Sequence, residues 1–286
     1  MARQPNMLII GASKCSTTTL YRLLQRHPDV WLPRDKGAYY FTSPDYDKPE
    51  RWQDYLKLFE DAPKSKTIVG ESSNTYTQRP DRRLVPIRIR ERLGHPKLIY
   101  LVRDPVDRAV SHFRHKYLTG GSKYATSFAQ ALESDPLLVM VSCYATQLRP
   151  FHEEFGTGSV LILAAEQLHK APFGVMREIE RYLEISPFNW QQNHWPRSNS
   201  YAELRQTVGW QKLVGERAFR RIRRRVPGFA RRLLKPLAPR IWEPPPVTEM
   251  DKEKILELVS DDLRQLTGLL GDRIADWPSV QRLSSY

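Results

Sequence analysis

Cysteine is scarce in this chain, with only Cys15 and Cys143 among 286 residues. Two cysteines give no disulfide framework, so we expect a reducing compartment and a cytoplasmic protein. No apolar run approaches the roughly 18 residues of a membrane span. The N-terminus leads almost directly into a strand, without the regions typical of a signal peptide. The metal-binding spacings C-x-x-C and H-E-x-x-H are also missing, so we expect no metal site.

Acidic residues are outnumbered by basic ones, and the formal net charge is +13. The excess is uneven, because segment 217–240 holds ten Lys or Arg and no acid. Three interpretations are open for it: a solvated helix face, a dock for an anionic acceptor or membrane surface, or a nucleic-acid arm. Aromatic residues are sparse there, which makes nucleic acid the least favoured partner. Prolines interrupt segment 217–247, which we interpret as a basic, broken helical stretch and a connector.

Apolar runs alternate with helical patterns along the chain. The runs predict strands at 7–10, 30–32, 67–70, 97–102 and 160–164. The periodic segments predict helices at 18–26, 52–59, 82–93, from 106 onward, and at 137–155, 175–183, 201–219 and 251–270. This alternation favours an α/β fold, in which helices flank a central parallel sheet as a three-layer, P-loop-like sandwich. With no internal repeat, we expect residues 1–286 to form a single domain.

The stretch Met7–Leu20 has the strand, loop and helix order that surrounds a phosphate with backbone N–H groups. Gly11 opens the loop and Lys14 lies inside it. The alternative is a generic turn between a strand and a helix. The loop is not Walker A, because Ser16 occupies the second glycine position and the lysine comes three residues too early. No aspartate is clearly placed to support Mg²⁺, so the pattern predicts a phosphate cradle without metal.

A second candidate anion site follows the predicted strand at 97–102. Arg103 ends that strand, and Ser111 lies about two helical turns further on. An arginine and a hydroxyl placed this way can bind one phosphate together, with charge-assisted hydrogen bonds. The alternative is an ordinary strand-to-helix turn with an Arg–Asp pair. Arg197, in a polar loop predicted at 189–201, is a further candidate to reach an anion.

Two other segments carry candidate functional residues. Glu71 ends a predicted parallel strand, where ligand sites gather in open α/β sheets, although it could also be a solvated residue near a helix start. Segment 36–41 crowds three aromatic residues beside charged ones. Either these aromatics belong to the core, or Lys36 and the tyrosines line a pocket beside the first loop.

Together the two motifs resemble those of sulfotransferases that use 3′-phosphoadenylyl sulfate (PAPS), in the bacterial and heparan-sulfate-type branch. The pattern G-x-x-[KR]-[SACG]-G-T-T of that family binds the 5′-phosphosulfate, and R-D-P-x-x-R-x-x-S binds the 3′-phosphate. The segment Glu166-Gln167-Leu168 and Trp277 also match family landmarks. The matching motif residues here are Gly11, Lys14, Cys15, Thr17 and Thr18 in the first motif, and Arg103, Asp104, Pro105, Arg108 and Ser111 in the second.

The resemblance implies in-line transfer of a sulfuryl group from PAPS to a hydroxyl of a small molecule, sugar or lipid, without metal and with release of 3′-phosphoadenosine 5′-phosphate (PAP). Lys14 would contact the departing oxygen. The alternatives are a nucleotide-binding, kinase-like P-loop protein or a catalytically weakened PAPS-binding homologue. The expected donor-binding residues are Lys14, Cys15, Ser16, Thr17, Thr18, Thr19, Arg103, Ser111 and Arg197.

Three positions depart from the family pattern. Ser16 replaces the loop glycine, and Ser72 replaces a lysine that follows the strand-end glutamate in relatives that act on heparan sulfate. Gly37 replaces the glutamate that serves as general base, within a segment where Tyr39 also replaces a histidine. We expect Glu71 to act as the base instead, because it ends a strand beside the donor site. Asp35 and His115 are the next candidates, and the oligomeric state is open.

Overall fold

The computed structural model describes residues 3–78, 84–120, 127–195 and 243–283. Within them, five strands form one sheet in the order β2-β3-β1-β4-β5, and every neighbouring pair is parallel. The strands are β1 Met7–Gly11, β2 Val30–Trp31, β3 Ile68–Ser72, β4 Lys97–Val102 and β5 Val160–Ala164. All five predicted strands are present, each within two residues of its expected bounds, and the predicted α/β fold class is confirmed.

Helices connect the strands, as parallel pairing requires. The α-helices are α1 Thr17–Leu24, α2 Pro49–Lys57, α3 Leu84–Leu93, α4 Pro105–Gly120, α5 Phe128–Ser134, α6 Leu137–Met140, α7 Tyr144–Phe155, α8 Ala165–Lys170, α9 Pro172–Leu183, α10 Glu249–Leu270 and α11 Pro278–Leu283. Short 3₁₀ turns cover Tyr40–Thr42, Thr157–Ser159, Gln192–His194 and Gly271–Ile274. Gly271 follows α10 and has φ 52°, the left-handed conformation in which a glycine commonly ends a helix.

The sheet is buried because its strands are almost continuously apolar. β1 and β3 are fully buried along their length, and so is β4 after its first residue. Parallel strands covered on both faces need such sequences. All strands run the same way, so the segments that follow Gly11, Ser72, Val102 and Ala164 leave from one edge of the sheet. That edge carries the candidate site.

One predicted helix is divided in two. The periodicity predicts a continuous helix over 137–155, but α6 ends at Met140 and α7 begins at Tyr144. The break exists because the Ser142 hydroxyl donates to the Pro105 carbonyl (2.9 Å) and accepts from the Arg108 guanidinium (2.5 Å). These long-range contacts outweigh the local preference for helix.

The chain groups into two compact units. The first comprises Met1–Ala109, Val139–Pro196 and Glu253–Tyr286, and it contains the whole sheet. The second comprises Val110–Leu138 and Arg197–Lys252. In its described part, the Phe113 ring packs edge-on against Phe128, and Lys116 forms an ion pair with Asp135. The expected single domain over 1–286 stays a prediction.

Several sequence-based expectations fall outside the described residues. They are the helix at 201–219, the basic stretch 217–240 with its connector, and Arg197. Within the described residues, no helix has the length and apolar character needed to cross a membrane. The same residues contain no cluster of three or more His, Cys, Asp or Glu side chains suited to a metal ion.

Candidate active site

The loop between β1 and α1 turns tightly. Lys14 and Ser16 have φ angles of 71° and 60°, in the left-handed region, with Cys15 between them. The Ser16 carbonyl accepts from the N–H groups of Thr19 (2.9 Å) and Leu20 (3.1 Å), which closes the first turn of α1. The amides that open a helix have no partner within it, so Thr17 and Thr18 begin α1 with donors available to an anion.

Lys14 lies within this loop, and its side chain is largely shielded from water. Burial lowers the pKa of its ammonium group, and the nearby Arg103 guanidinium lowers it further. Within the described residues Lys14 forms no ion pair with a carboxylate. A desolvated lysine beside another cation favours a bound anion, because each positive charge raises the local potential. The Arg103 guanidinium is partly exposed, and its ion pair with Asp107 is long (3.4 Å).

A second lysine reaches the start of α1. The Lys36 ammonium donates to the hydroxyls of Thr17 (2.9 Å) and Thr18 (3.2 Å). The Thr17 hydroxyl in turn donates to the Asn74 side-chain oxygen (3.1 Å). Burial lowers the pKa of Lys36 to about 8, Glu71 opposes this shift and Lys14 adds to it. The expectation that Lys36 lies beside the first loop therefore agrees with the structure.

Cys15 contributes to the loop as a buried neutral thiol. Burial raises its pKa to about 12, which excludes a thiolate at neutral pH. Its Sγ lies 3.6 Å from the Tyr144 hydroxyl. That hydroxyl donates to the Arg103 carbonyl (2.8 Å) and accepts from the Arg103 N–H (3.3 Å). Tyr144 therefore links the first loop to the turn that follows β4.

The turn after β4 is held by a buried carboxylate. Asp104 Oδ1 accepts from the N–H groups of Val106 (3.0 Å) and Asp107 (3.2 Å), which caps the start of α4. Its carboxylate also accepts from the N–H (3.0 Å) and hydroxyl (2.9 Å) of Ser279. Asp104 therefore fixes the direction of the chain at Arg103 and ties it to α11.

The landmarks Glu166 and Trp277 meet at the same turn. Glu166 Oε1 accepts from the Asp104 N–H (3.1 Å), and Oε2 accepts from the Trp277 indole N–H (3.0 Å). Trp277 holds Glu166, and Glu166 holds the backbone of Asp104, the residue next to Arg103. The sequence pattern matched them to a family, and the structure supplies their physical role.

The two remaining residues of the second motif differ in placement. Arg108 is fully buried, at 0% exposure, and donates to the Ser142 hydroxyl. Burial lowers its pKa, so its environment is that of a core residue. Ser111 is half-buried on the part of α4 that belongs to the second unit, whereas Arg103 belongs to the first. The expected sharing of one phosphate by Arg103 and Ser111 stays a prediction.

Glu71 is enclosed by hydrogen-bond donors at the end of β3. Its side chain is 1% exposed, so the alternative of a solvated residue is wrong. Its carboxylate accepts from the hydroxyls of Tyr76 (2.6 Å) and Ser73 (2.8 Å), and from the Ala38 N–H. Burial raises its pKa to about 7, against the opposing effect of these donors and of Lys36. A carboxylate has about four acceptor positions, so one is left for a proton.

The segment after Lys36 follows Glu71 closely. The Gly37 N–H donates to the Ser72 carbonyl (2.9 Å), and the Tyr39 N–H donates to the Ser73 hydroxyl (3.0 Å). Gly37 has φ 95°, and a Cβ there would lie 2.7 Å from the Tyr39 ring and hydroxyl. A side chain at position 37 would therefore be strained at this φ and would require the Tyr39 ring to move.

The aromatic residues of this segment divide between the two interpretations. Tyr40 and Phe41 are buried in the core, and Tyr40 stacks on Tyr55 with ring centroids 4.7 Å apart. Tyr39 is 49% exposed beside Gly37.

The two alternative bases lie elsewhere. Asp35 is exposed, and His115 lies on the part of α4 that belongs to the second unit.

The structure therefore brings one group of predicted residues together at the sheet edge. They are Lys14, Cys15, Ser16, Thr17, Thr18, Thr19, Glu71 and Arg103. Sequence reasoning did not identify Asn74, which contacts Thr17, or His169, whose Nε2 lies 3.1 Å from the Ser16 hydroxyl. No local pattern identifies such partners, because both contacts join segments far apart in the chain.

Comparison with known proteins decides the family. The model of the sulfotransferase domain matches residues 4–205, which is more than half of the chain. The chain belongs to the sulfotransferase domain family. The family resemblance drawn from the two motifs is confirmed, and with it the class of protein, a sulfotransferase.

Curated relatives of this sulfotransferase are larger proteins. Bifunctional heparan sulfate N-deacetylase/N-sulfotransferase 2 of Homo sapiens is 28% identical over 204 residues, covering 65% of this chain and 22% of the relative. Heparan sulfate glucosamine 3-O-sulfotransferase 3B1 of Mus musculus is 27% identical over 189 residues, covering 63% and 46%. The chain thus spans less than half the length of either relative.

A solved structure supports the fold independently. The sulfotransferase from Alicyclobacillus acidocaldarius is similar with a TM-score of 0.57, over 76% of this chain and 96% of that one, at 24% identity. At this identity the likeness bears on the fold alone. It agrees with the central parallel sheet described above.

Proposed function

We propose that this sulfotransferase transfers a sulfuryl group from PAPS to a hydroxyl of a small-molecule, sugar or lipid acceptor, in line and without metal. One observation carries the proposal: Lys14 and Lys36, both largely withdrawn from water, converge on the start of α1 beside Arg103. Within the described residues, neither lysine forms an ion pair with a carboxylate. Such a concentration of positive charge fits a donor with several negative charges.

The roles of the donor-site residues follow from their placement. The opening amides of α1 and the hydroxyls of Thr17 and Thr18 bind the 5′-phosphate end of the donor. Lys14 stabilises negative charge on the oxygen from which the sulfuryl group departs. Lys36 already holds both threonine hydroxyls and adds a second positive charge. Arg103, with Ser111 and Arg197, is proposed to bind the 3′-phosphate.

We assign the general base to Glu71. Its pKa of about 7 lets the carboxylate exist at neutral pH and still accept a proton with a useful driving force. Lys36 lies close enough to influence this pKa, so Glu71 borders the donor site. An acceptor hydroxyl that reaches the Glu71 carboxylate would lose its proton to the acceptor position that Tyr76, Ser73 and Ala38 leave unused.

The acceptor class is inferred from the relatives and from charge. Two relatives are named for heparan sulfate, a sugar polymer, which makes a sugar the favoured acceptor. One of them is named as an N-sulfotransferase and the other as a 3-O-sulfotransferase, so the hydroxyl acceptor proposed here agrees with the second name and an amine acceptor with the first. The basic segment 217–240, outside the described residues, is proposed to contact an anionic acceptor or membrane surface. The cytoplasmic location also stays a proposal, which fractionation of the cells that express the protein would test.

A catalytically weakened PAPS-binding homologue is the second candidate. The observation in its favour is the Tyr39 ring, which occupies the space that a side chain at position 37 would need. This candidate binds the donor normally and transfers slowly. The family match gives no support to the kinase-like alternative.

Binding of PAP tests the proposal directly. We expect PAP to bind this chain about 10- to 100-fold more tightly than 5′-AMP, because hydrogen bonds to a charged 3′-phosphate contribute about 1.5–3 kcal/mol. Calorimetry with PAP, 5′-AMP and ATP gives the comparison. Equal affinities for PAP and 5′-AMP would remove the donor assignment.

The Lys14→Ala substitution separates binding from transfer. We expect transfer of labelled sulfuryl groups to fall at least about 100-fold, because an electrostatic partner of the leaving oxygen is lost. The exposed Lys57→Ala variant, which removes a lysine paired with Asp54 on α2, is the matched control. Normal transfer by Lys14→Ala would contradict the proposed mechanism, and slow transfer by the unmodified chain with tight PAP binding would favour the weakened homologue.

A further inference from the structure

The donor loop contains a residue type that its backbone disfavours. Ser16 has φ 60° and ψ 17°, the left-handed conformation in which a Cβ is crowded by the neighbouring carbonyl oxygen. Glycine adopts this conformation without that crowding. Ser16 also supplies the carbonyl that accepts from Thr19 and Leu20 to start α1. The conformation of Ser16 therefore sets the direction of the first amides of α1.

Ser16 is held from outside its own loop. Its hydroxyl lies 3.1 Å from Nε2 of His169, which is on α8, more than 150 residues along the chain. His169 lies at the surface, but partial desolvation lowers the pKa of its imidazole and the Arg103 guanidinium lowers it further, so the imidazole is mostly neutral at neutral pH. A neutral imidazole can share a hydrogen bond with the hydroxyl without adding charge.

Helix α8, which carries His169, also contacts the turn after β4, where Arg103 lies. Glu166 and His169 are three residues apart on α8, a spacing that places two side chains on one face of a helix. Glu166 accepts from the Asp104 N–H beside Arg103, whereas His169 contacts Ser16. One short helix thus touches both turns that bring cations to the donor.

We infer that His169 is a positioning residue for the donor, which holds Ser16 in the left-handed conformation and thereby orients the opening amides of α1. This inference rests on the proposed function, since it takes the loop at Lys14 as the donor site. His169 acts through its contact with Ser16.

A double-mutant cycle tests the pair, with the dissociation constant of PAP as the readout. We expect His169→Ala to weaken PAP binding about three- to tenfold, the usual effect of losing one hydrogen bond. In a Ser16→Gly background the same His169→Ala change should cost less than about twofold, because glycine needs no support in this conformation. His169→Gln, whose amide nitrogen can replace Nε2, should restore most of the affinity in the chain that keeps Ser16.

Kinetics distinguish positioning from general damage. We expect His169→Ala to raise KM for the donor and to leave kcat within about twofold, because the lysines and the base stay in place. His95→Ala, which removes an exposed histidine, is the matched control and should change neither constant. Thermal unfolding of each variant shows whether the fold is kept.

The outcomes separate this inference from the proposed function. Loss of PAP preference in the unmodified chain removes the donor site itself. If PAP binds as expected but His169→Ala weakens binding equally with Ser16 present and in the Ser16→Gly background, the positioning role of His169 is wrong. Unchanged affinity in His169→Ala also overturns it.

Discussion

The carboxyl group of Glu71 is buried, yet it lies beside the ammonium group of Lys36. Burial favours the protonated acid, whereas Lys36 and three hydrogen-bond donors favour the carboxylate. The balance gives a pKa of about 7, so a small change of pH near neutrality changes the charge of this side chain. A group with this property can take a proton from an acceptor hydroxyl near neutral pH.

The pH dependence of transfer tests Glu71 as the base. The base must be ionised, so we expect the rate to rise with pH, about tenfold per unit below pH 7, and to level between about pH 7 and 8. Above about pH 8 the rate should fall, because Lys36, with a pKa of about 8, loses its positive charge there. Glu71→Gln should lower the rate about 100- to 10,000-fold and remove this pH dependence. Initial rates with labelled donor between about pH 5.5 and 8.5 provide the measurement.

Two variants serve as controls for the base assignment. Asp35→Asn removes the exposed carboxylate of the first alternative base. His115→Gln removes the imidazole of the second alternative base. We expect both to keep the pH profile. Glu71→Gln with unchanged turnover would exclude Glu71 from proton transfer and return the assignment to these residues.

The site residues differ in how far the sequence could identify them. Lys14 and Arg103 were predictable because each lies at a strand end within a short motif. The contact between Lys36 and Thr17 could not be predicted from the sequence, because it depends on where segment 36–41 lies relative to the start of α1 in the folded chain. The Ser16–His169 contact is similarly hidden, because a hydrogen bond between distant segments leaves no periodic signal.

At the scale of elements, Asp104 joins α4, α8 and α11. Its carboxylate accepts from four donors, and its N–H donates to Glu166 on α8. Removing it leaves the N–H groups at the start of α4 and the Ser279 hydroxyl without this acceptor. The placement of Arg103 depends on these contacts.

Asp104→Ala tests this connection. We expect the free energy of unfolding to fall by about 2–4 kcal/mol, the combined effect of a lost helix cap and buried unsatisfied donors. Ser279→Ala, which removes one of the four donors, should cost about 0.5–1.5 kcal/mol. Urea unfolding monitored by circular dichroism gives both values.

The matched control is Asp54→Ala, which removes an exposed carboxylate paired with Lys57 on α2. We expect it to change stability by less than about 1 kcal/mol, as is usual for surface ion pairs. Equal stabilities of Asp104→Ala and Asp54→Ala would mean that the buried contacts of Asp104 contribute nothing measurable.

The elements themselves were mostly predictable, for a physical reason. Strands such as Lys97–Val102 are short apolar runs whose burial in a parallel sheet requires that composition. The division of the helix at Ser142 was not predictable, because it depends on Arg108 and Pro105 from another element. Tertiary contacts of this kind override local propensity.

At the scale of the whole molecule, stability depends on a buried histidine. His27 is almost fully buried beneath the rings of Phe188 and Trp190. Its Nδ1 accepts from the Asp29 N–H (3.1 Å), so this nitrogen cannot also carry a proton. Burial lowers the pKa of His27, although the nearby carboxylates of Glu180 and Asp29 oppose the shift.

The folded state therefore binds fewer protons at His27 than the unfolded state, whose histidine has a pKa of about 6.5. The stability that His27 contributes is present above about pH 6.5 and is lost as the pH falls through its lower folded pKa. Glu71 acts in the opposite sense: with a raised pKa, its contribution is present below the unfolded value and is lost as the pH rises through about 7.

Comparing the unmodified chain with His27→Gln isolates the histidine, because Glu71 is the same in both. We expect the difference in unfolding free energy between them to shrink as the pH falls from about 7 to 5, by up to about 1.4 kcal/mol per pH unit. Urea unfolding across this range measures it, with the exposed His95→Gln as control. A difference that is constant with pH would show that His27 does not titrate on unfolding.

The thiol of Cys15 has a consequence for the conditions in which this protein can work. Peroxide and disulfide reagents attack the thiolate, and attack requires access. Cys15 is fully buried and has a pKa of about 12, so it offers neither. Although a sulfur atom lies in the centre of the donor loop, oxidants should leave that loop chemically intact. We therefore expect the Cys15 thiol to stay in the same chemical state in oxidising and in reducing surroundings.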